Sequence, residues 1–417
     1  MTGGRRRLLF LAPFAPRRDA PHGGGRAMTG LISRLATRHS VVLLCLRGAG
    51  EPPVDEILLE SCEAVREFPR AGGPGRSRSL GERLARHGRT LVSPFTGQPK
   101  WAFYCAVPAL AAALRERLGD WRPELVQMEY AVMGQYAALI GEGVPRVLDQ
   151  YEPGAAAARD LWRAARGPAR VAAGLDRLAW ERFERGVVRQ MSAVVTLTEC
   201  DSEAMRRLVP AAHAVTIPLG TELPGQALDP AGADPPSLLF VGSFHHPPNV
   251  EAAARLIRTI YPEVRRQVPA ATLVLVGEGL PEALRPEAGP GVTVTGRVES
   301  VEPWLDRAAV VMAPLELGGG MRVKVLEALA AGKAVVASPR AVEGLPGLLE
   351  GPEGGAVALA RGDSEAAARA VELLRDRSRR IALGGRARAW AETHLGWDQV
   401  VTAYEELYER LLAGRST

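Results

Sequence analysis

The sequence predicts an α/β protein of two Rossmann-like domains, and three observations carry that prediction. Short β-branched or leucine-rich runs alternate with longer helical patterns along the chain, which is the signature of parallel sheets covered by helices on both faces. The alternation stops once, in the Gly-, Pro- and Ala-rich stretch GTELPGQALDPAGADPP, and then starts afresh. The chain has 417 residues and is 47% hydrophobic, enough for two cores of ordinary size.

Before the interruption, strands are expected at Arg7 to Ala12, Ser40 to Leu46, Leu125 to Met128, Arg146 to Asp149, Ala193 to Leu197 and Ala214 to Pro218. After it they are expected at Leu238 to Gly242, Thr272 to Gly277, Val292 to Gly296, Ala309 to Pro314 and Ala334 to Ser338. The domains are therefore set at 1–219 and 237–395, with 220–236 as the interdomain linker and 396–417 as a terminal helical segment centred on Trp397 to Leu412. In such sheets ligands sit beyond the carboxyl ends of the strands.

Composition narrows the partners. Net charge is +5, but aromatic residues are only 5% and neither basic-aromatic interleaving nor zinc-finger spacing appears, so nucleic acid is not expected. Acidic small molecules or an anionic membrane surface suit the charge better. Cys45, Cys62, Cys105 and Cys200 are widely separated without a C-x-x-C pair, which points to neither zinc nor a disulfide framework and suggests a reducing cytoplasm. The arginines of MTGGRRRLLFLAPF precede an apolar core, Leu8 to Leu11, too short for a secretion signal. No apolar run reaches the roughly 20 residues that span a bilayer.

The most informative segment is PLELGGGMRVKVLEALAAGKAVVAS, Pro314 to Ser338. Gly318, Gly319 and Gly320 lead into a helical period through Val323, Leu326, Glu327 and Ala330, so the open amides of a helix start can face an anion. Arg322 and Lys324 add cations at that end, where a phosphate gains both the dipole field and charge-assisted hydrogen bonds. Glu327, deeper in the helix, suits the paired hydroxyls of a ribose. Of 52 cationic residues only Lys100, Lys324 and Lys333 are lysines, and two of them fall here, where an amine acts as a point charge rather than a planar fork. The ordinary alternative is an amphipathic helix with a glycine-rich lead-in; the glycines, cations and glutamate together favour a nucleotide diphosphate site.

Other strand ends supply further candidates. His22, Gly23, Gly24, Gly25 and Arg26 form a second glycine turn into a helix, explained equally by a connection that needs positive φ. Gln127, Glu129 and Tyr130 follow the third strand, and Asp149, Tyr151 and Glu152 the fourth; carboxylates there are candidate sugar or acceptor ligands, although helix capping is the commoner task. GSFHHPPNVEAA presents Gly242, Ser243, His245, His246 and Asn249 near a phosphate, without metal-site spacing. Gly296 and Val298 offer backbone groups to a base.

These segments carry a family likeness. GGGMRVKVLEALAAGKAVVAS followed by AVEGL (Ala341 to Leu345), LLFVGSFHHPPNVEAA, and GGGRAMTGLISRLATRHSVVLL resemble the GT-B glycosyltransferases of family 4, over essentially the whole chain and most specifically in its second half. The resemblance implies two Rossmann-like domains facing a central cleft, a last helix that returns to the first domain, and retaining transfer of a sugar from a nucleotide diphosphate sugar with no metal cofactor. It places the donor in the second domain and most of the acceptor, whether glycan, lipid-linked or a natural product, in the first.

The resemblance also assigns roles. The family's two glutamates are separated by seven residues; Glu327 matches the second, the first falls on Gly319, and Glu316 lies three residues upstream. The cation pair usual after the first second-domain strand is replaced by Ser243 and by Pro248 or Asn249, leaving Arg322 and Lys324 to neutralise the diphosphate. Glu129 stands where a sugar-facing histidine is usual. Catalytic roles thus fall to Arg322, Lys324 and Glu129, and donor contacts to Gly242, Ser243, His245, Gly296, Val298, Glu316, Gly319, Gly320, Met321 and Glu327. Gly23, Gly24, Gly25, Asp149 and Tyr151 would face donor or acceptor.

Two alternatives stay open: a non-catalytic nucleotide-sugar-binding protein, and a sugar-nucleotide epimerase, which would need an acid and base pair around the sugar. Placement is expected in the cytoplasm, with peripheral contact at an anionic membrane face allowed by the run from Arg66 to Trp101, rich in arginine and interspersed with Leu80, Leu84, Leu91, Val92 and Phe95. That run reads equally as a solvated surface.

Overall fold

The computed structural model describes residues 4–20, 23–70, 97–285, 287, 289–317, 322–345, 347–350 and 355–414. Two compact units make up the chain. The first runs to Leu219 and includes the residues from Val400 onward; the second begins at Gly220 and runs to Gln399.

The first unit is built on a seven-stranded parallel sheet in the order β3-β2-β1-β4-β5-β6-β7. Its strands are β1 Arg7–Ala12, β2 Ser40–Arg47, β3 Ala64–Pro69, β4 Leu125–Glu129, β5 Arg146–Gln150, β6 Ala193–Thr196 and β7 Ala214–Thr216. β1, β2 and β4 are covered on both faces, and their continuous apolar runs, such as Leu8 to Ala12, are wholly buried. β3 departs from the sequence expectation. This edge strand, AVREFP, is half-buried and carries Arg66 and Glu67, so it has no apolar run to betray it.

The second unit repeats the plan with six parallel strands in the order β10-β9-β8-β11-β12-β13. They are β8 Ser237–Val241, β9 Thr272–Val276, β10 Val292–Gly296, β11 Val310–Ala313, β12 Val335–Ala337 and β13 Ala358–Leu359. β13, at two residues, is too short to leave a periodic trace. In each sheet the order of strand addition reverses at a switch point, β1/β4 in the first and β8/β11 in the second, where connections leaving to opposite sides open a crevice at the strand ends.

The Gly- and Pro-rich segment after Leu219 is fastened to the second unit over much of its length. Leu228 N–H donates to Ala331 O at 3.0 Å and Ala233 N–H to Arg307 O at 2.9 Å. The amine of Lys333 bonds the carbonyl of Asp229, and that of Asp306 at 3.0 Å, while Arg380 Nε reaches Ala231 O at 3.1 Å. Lys333 is thus a buried tie between backbone carbonyls. Its amine is consumed structurally, and burial brings its pKa down to about 8.

The last helix, Trp397–Ala413, packs on the first unit from Val400 on. Tyr404 and Tyr408 donate to Asp149 and Gln127, each at 2.5 Å, and Glu405 and Glu409 pair with Arg38 and Arg6, each at 2.9 Å.

Candidate functional site

At the open end of β8 the second unit assembles a cationic pocket. The helix Val323–Ala330 starts with Arg322 at its N-cap, where no side chain satisfies the first amides. Lys324, in its first turn, reaches back over the sheet: its ammonium lies 4.6 Å from the centre of the Phe240 ring and donates to Asn249 Oδ1. Gly242 is required by this approach, since a Cβ there would stand 2.9 Å from Lys324 Nζ and 2.8 Å from Asn249 Nδ2. Asn249, in the first turn of the helix Pro247–Arg255, is held in turn by its own donation to Ser243 O at 2.8 Å.

Burial and mutual proximity both act on the charges here. Burial, with Arg322 as a second contributor, lowers the Lys324 pKa to about 7, only partly offset by Glu327. The His246 pKa is also lowered, by partial burial and by the fields of Lys324 and Arg322, which puts the imidazole in the same neighbourhood and favours its neutral form.

Beside it, at the ends of β11 and β12, Arg255 organises a carboxylate cluster. Its guanidinium donates to Asp363 Oδ1 at 2.8 and 2.5 Å and to Pro314 O at 2.9 Å, and pairs with Glu251 at 3.4 Å and Glu316 at 3.6 Å. Arg255, Glu316, Ser338 and Gly362 line a small pocket here. Glu316 therefore arrives with one cationic partner, and its side chain is 45% exposed.

In the first unit the ends of β4 and β5 hold a buried polar network. Gln127 Nε2 donates to Glu129 at 2.9 Å and receives Tyr408 on its carbonyl, while Asp149 receives Tyr404. Burial, with the adjacent Asp149 charge, raises the Glu129 carboxyl well above its usual range, and burial takes Asp149 up to about 7. Tyr130 follows β4 with φ at +65°, a conformation costly for a bulky residue, and stacks on Tyr151 at 4.8 Å with Trp101 and Phe14 edge-on at 5.3 and 5.5 Å.

Family models match both units: "glycosyl transferase 4-like domain" over residues 22–220 and "glycosyl transferases group 1" over 235–376. The chain belongs to the family 4, group 1 glycosyltransferases. GDP-mannose-dependent alpha-(1-6)-phosphatidylinositol monomannoside mannosyltransferase of Mycobacterium tuberculosis is 35% identical over 154 residues, covering 34% of this chain and 40% of that protein. Among solved structures, sucrose-phosphate synthase from Thermosynechococcus elongatus superposes with a TM-score of 0.71 at 17% identity, over 98% of this chain and 100% of the other. Anabaena HepE, solved with UDP and glucose, gives 0.64 at 15% identity over 97% and 100%. WaaG, a glycosyltransferase of lipopolysaccharide biosynthesis, gives 0.64 at 15% over 95% and 98%. At these identities the likeness shows the GT-B fold.

In the second unit the structure brings together Arg322, Lys324, Gly242, Ser243 and Asn249, and places Glu327 near enough to act on Lys324. His245 is exposed, against Gly279, whose φ is +84°. Gly296 ends β10, one strand beyond β9, and Val298 lies two residues past that end. Gly319, Gly320 and Met321 lie outside the described residues, as do His22 and residues 71–96 of the arginine-rich run. Glu129, Asp149 and Tyr151 are all buried, in the first unit.

The glycine turn departs from the expectation of positive φ. None of Gly23, Gly24 or Gly25 has it; Gly24 is needed because a Cβ would lie 1.9 Å from the Tyr130 hydroxyl. Arg255, Phe240, Tyr404 and Tyr408 escaped sequence reading. Their partners stand far off in the chain, 108 residues away for Arg255 and Asp363 and 255 for Tyr404 and Asp149, and no local pattern marks such pairs.

Proposed function

We propose that this protein moves a sugar, with retention of anomeric configuration, from a nucleotide diphosphate sugar to a lipid-linked, glycan or small-molecule acceptor. The observation that carries the reading is Lys324, drawn over Phe240 onto Asn249 beside Arg322 at the end of β8. As the glycosidic bond breaks, charge accumulates on the leaving diphosphate, and cations already in place stabilise that state more than the ground state. Lys324 and Arg322 take this charge-neutralising role, so the reading includes no metal cofactor. Glu327 binds the ribose hydroxyls and Glu316 the sugar.

The acceptor hydroxyl attacks the face from which the diphosphate leaves, its oxygen forming the new bond as the old C–O bond breaks, and the departing phosphate takes its proton. The curated relative is named as a phosphatidylinositol mannoside mannosyltransferase and HepE was solved with UDP and glucose, which supports a sugar-nucleotide donor and a lipid-linked acceptor. Peripheral contact with an anionic membrane accompanies that form of the reading.

A thermal-shift screen with UDP-, GDP- and dTDP-sugars tests donor binding, because a ligand that binds only the folded state stabilises it with occupancy. Release of free nucleotide diphosphate then tests transfer or hydrolysis. Stabilisation without release would leave a non-catalytic binder; no stabilisation by any sugar nucleotide would sink the reading.

A further inference from the structure

The first unit carries a helical hairpin whose far end stands clear of its core. The helices Gly154–Ala164 and Pro168–Val188 pack against each other. On the longer one Asp176 is already packed against Lys100 and fully buried residues begin at Ala179, so the eight residues before Asp176 rise about 12 Å along the helix axis towards the hairpin end. At that end Leu161 is 50% exposed and Val171 67%, with Leu178 at 44% further down the stem. Isolated exposed aliphatics need no explanation, but these occur at one projecting tip.

The tip is built, not loose. Arg170 and Arg177 sit over the Trp162 ring at 4.8 and 5.2 Å, and the indole lies 3.2 Å from where a Cβ on Gly174 would stand. The one aromatic side chain at the end is therefore turned into the hairpin and clamped, while Leu161 and Val171 remain outside. Around them the charge is one-sided. Residues 159–171 contain Arg159, Arg163, Arg166 and Arg170 against Asp160 alone. Arg159 pairs with Glu181 at 3.7 Å and Arg163 with Asp160 at 3.7 Å, yet the Arg163 side chain stays 67% exposed. Among the described residues Arg166 and Arg170 make no ion pair.

We infer that this hairpin tip docks on an anionic lipid surface, with Leu161 and Val171 entering the headgroup boundary and Arg163, Arg166 and Arg170 meeting lipid phosphates. A convex aliphatic tip collared by long cationic side chains suits a bilayer, where the stems lie along the apolar layer and the guanidiniums reach up to the phosphates. It lacks the exposed aromatic platform that single-stranded nucleic acid would stack upon. The inference adds a surface to the lipid-linked form of the proposed function but does not depend on transfer itself.

The full chain is sedimented with vesicles of phosphatidylglycerol and phosphatidylcholine, and with phosphatidylcholine alone, at low and high salt. Wild type binds the anionic vesicles at low salt, each near-surface arginine strengthening binding about fivefold, and binds the zwitterionic ones far less. Leu161→Ser with Val171→Ser weakens binding about tenfold, and Arg163→Ser with Arg166→Ser about twenty-five-fold. All four positions are exposed, so unfolding is not expected, and an unchanged melting temperature and unchanged shift with nucleotide sugar check this and separate docking from donor binding. Equal sedimentation with both vesicle types, or variants that bind like wild type, would overturn the inference. So would concentration-dependent self-association abolished by the same variants, since the tip would then cover a second copy of the chain.

Discussion

Tyr404 donates a 2.5 Å hydrogen bond to Asp149, joining the last helix to the end of β5 inside the first unit. Asp149 lies beside Glu129, and both carboxyls are raised because burial disfavours their charged forms.

Stability should therefore depend on pH. Asp149 is raised to about 7 from an ordinary value near 4, so between those pH values the folded state holds a proton that the unfolded chain has released. Its contribution is full below pH ~4 and is lost as pH rises through ~7. The melting temperature should fall from pH 5 to pH 8, by an amount on the order of 2 kcal/mol of stability from this site. Asp149→Asn should flatten the slope; an unaltered slope would mean that other groups, such as Glu184, also raised to about 7, govern it.

Lys324 should report on phosphate through protons. At pH 8 an amine with a pKa of about 7 is mostly neutral, and a bound diphosphate restores its charge. Calorimetry in buffers of different ionisation enthalpy should reveal proton uptake on binding of UDP or GDP, absent in Lys324→Ala. Affinity for the diphosphate should drop about tenfold to a hundredfold in that variant, the worth of one charged hydrogen bond, with nucleoside binding little changed. Equal losses for both ligands would mean that Lys324 supports the fold instead.

Glu327 is expected to bind ribose hydroxyls. Glu327→Gln should weaken a ribonucleoside diphosphate by about 1.5 to 3 kcal/mol and its 2′-deoxy form by less. Titrations that give the same loss for both would remove this role.

Gly24 and Tyr130 should be energetically coupled. Gly24→Ala forces the hydroxyl away from a point 1.9 Å distant, and Tyr130 is wedged among Tyr151, Trp101 and Phe14, so a cost of about 1 to 3 kcal/mol is expected. In Tyr130→Ala the same glycine substitution should cost much less. Denaturant melts of the four proteins give the coupling directly.

Much of the architecture was legible because parallel strands are buried on both faces: Leu8 to Ala12 or Val310 to Ala313 can be little else. β3 was not, because its edge position lets Arg66 and Glu67 into the strand. The helix start at Arg322 and Lys324 was legible too, since glycines, cations and a helical period are adjacent in sequence. Lys333 looked equivalent to Lys324 there. Nine residues further on, however, its amine meets the carbonyls of Asp229 and Asp306 in the interior, and only the fold separates the two lysines. The arginine that gathers Asp363, Glu251 and Glu316 has no local signature at all.

The softened charge on Lys324 also makes it a nucleophile. With its pKa brought down toward neutral by burial, a far larger share of its amine carries a free lone pair near pH 7 than in an ordinary lysine. The chain's other lysines are Lys100 and Lys333, and Lys333 is buried against two carbonyls, so among the lysines an amine-directed reagent at neutral pH, which also reacts with the α-amino group, should favour Lys324. Peptide mapping after mild acylation should find Lys324 first among the lysines, and a nucleotide diphosphate that fills the pocket should shield it.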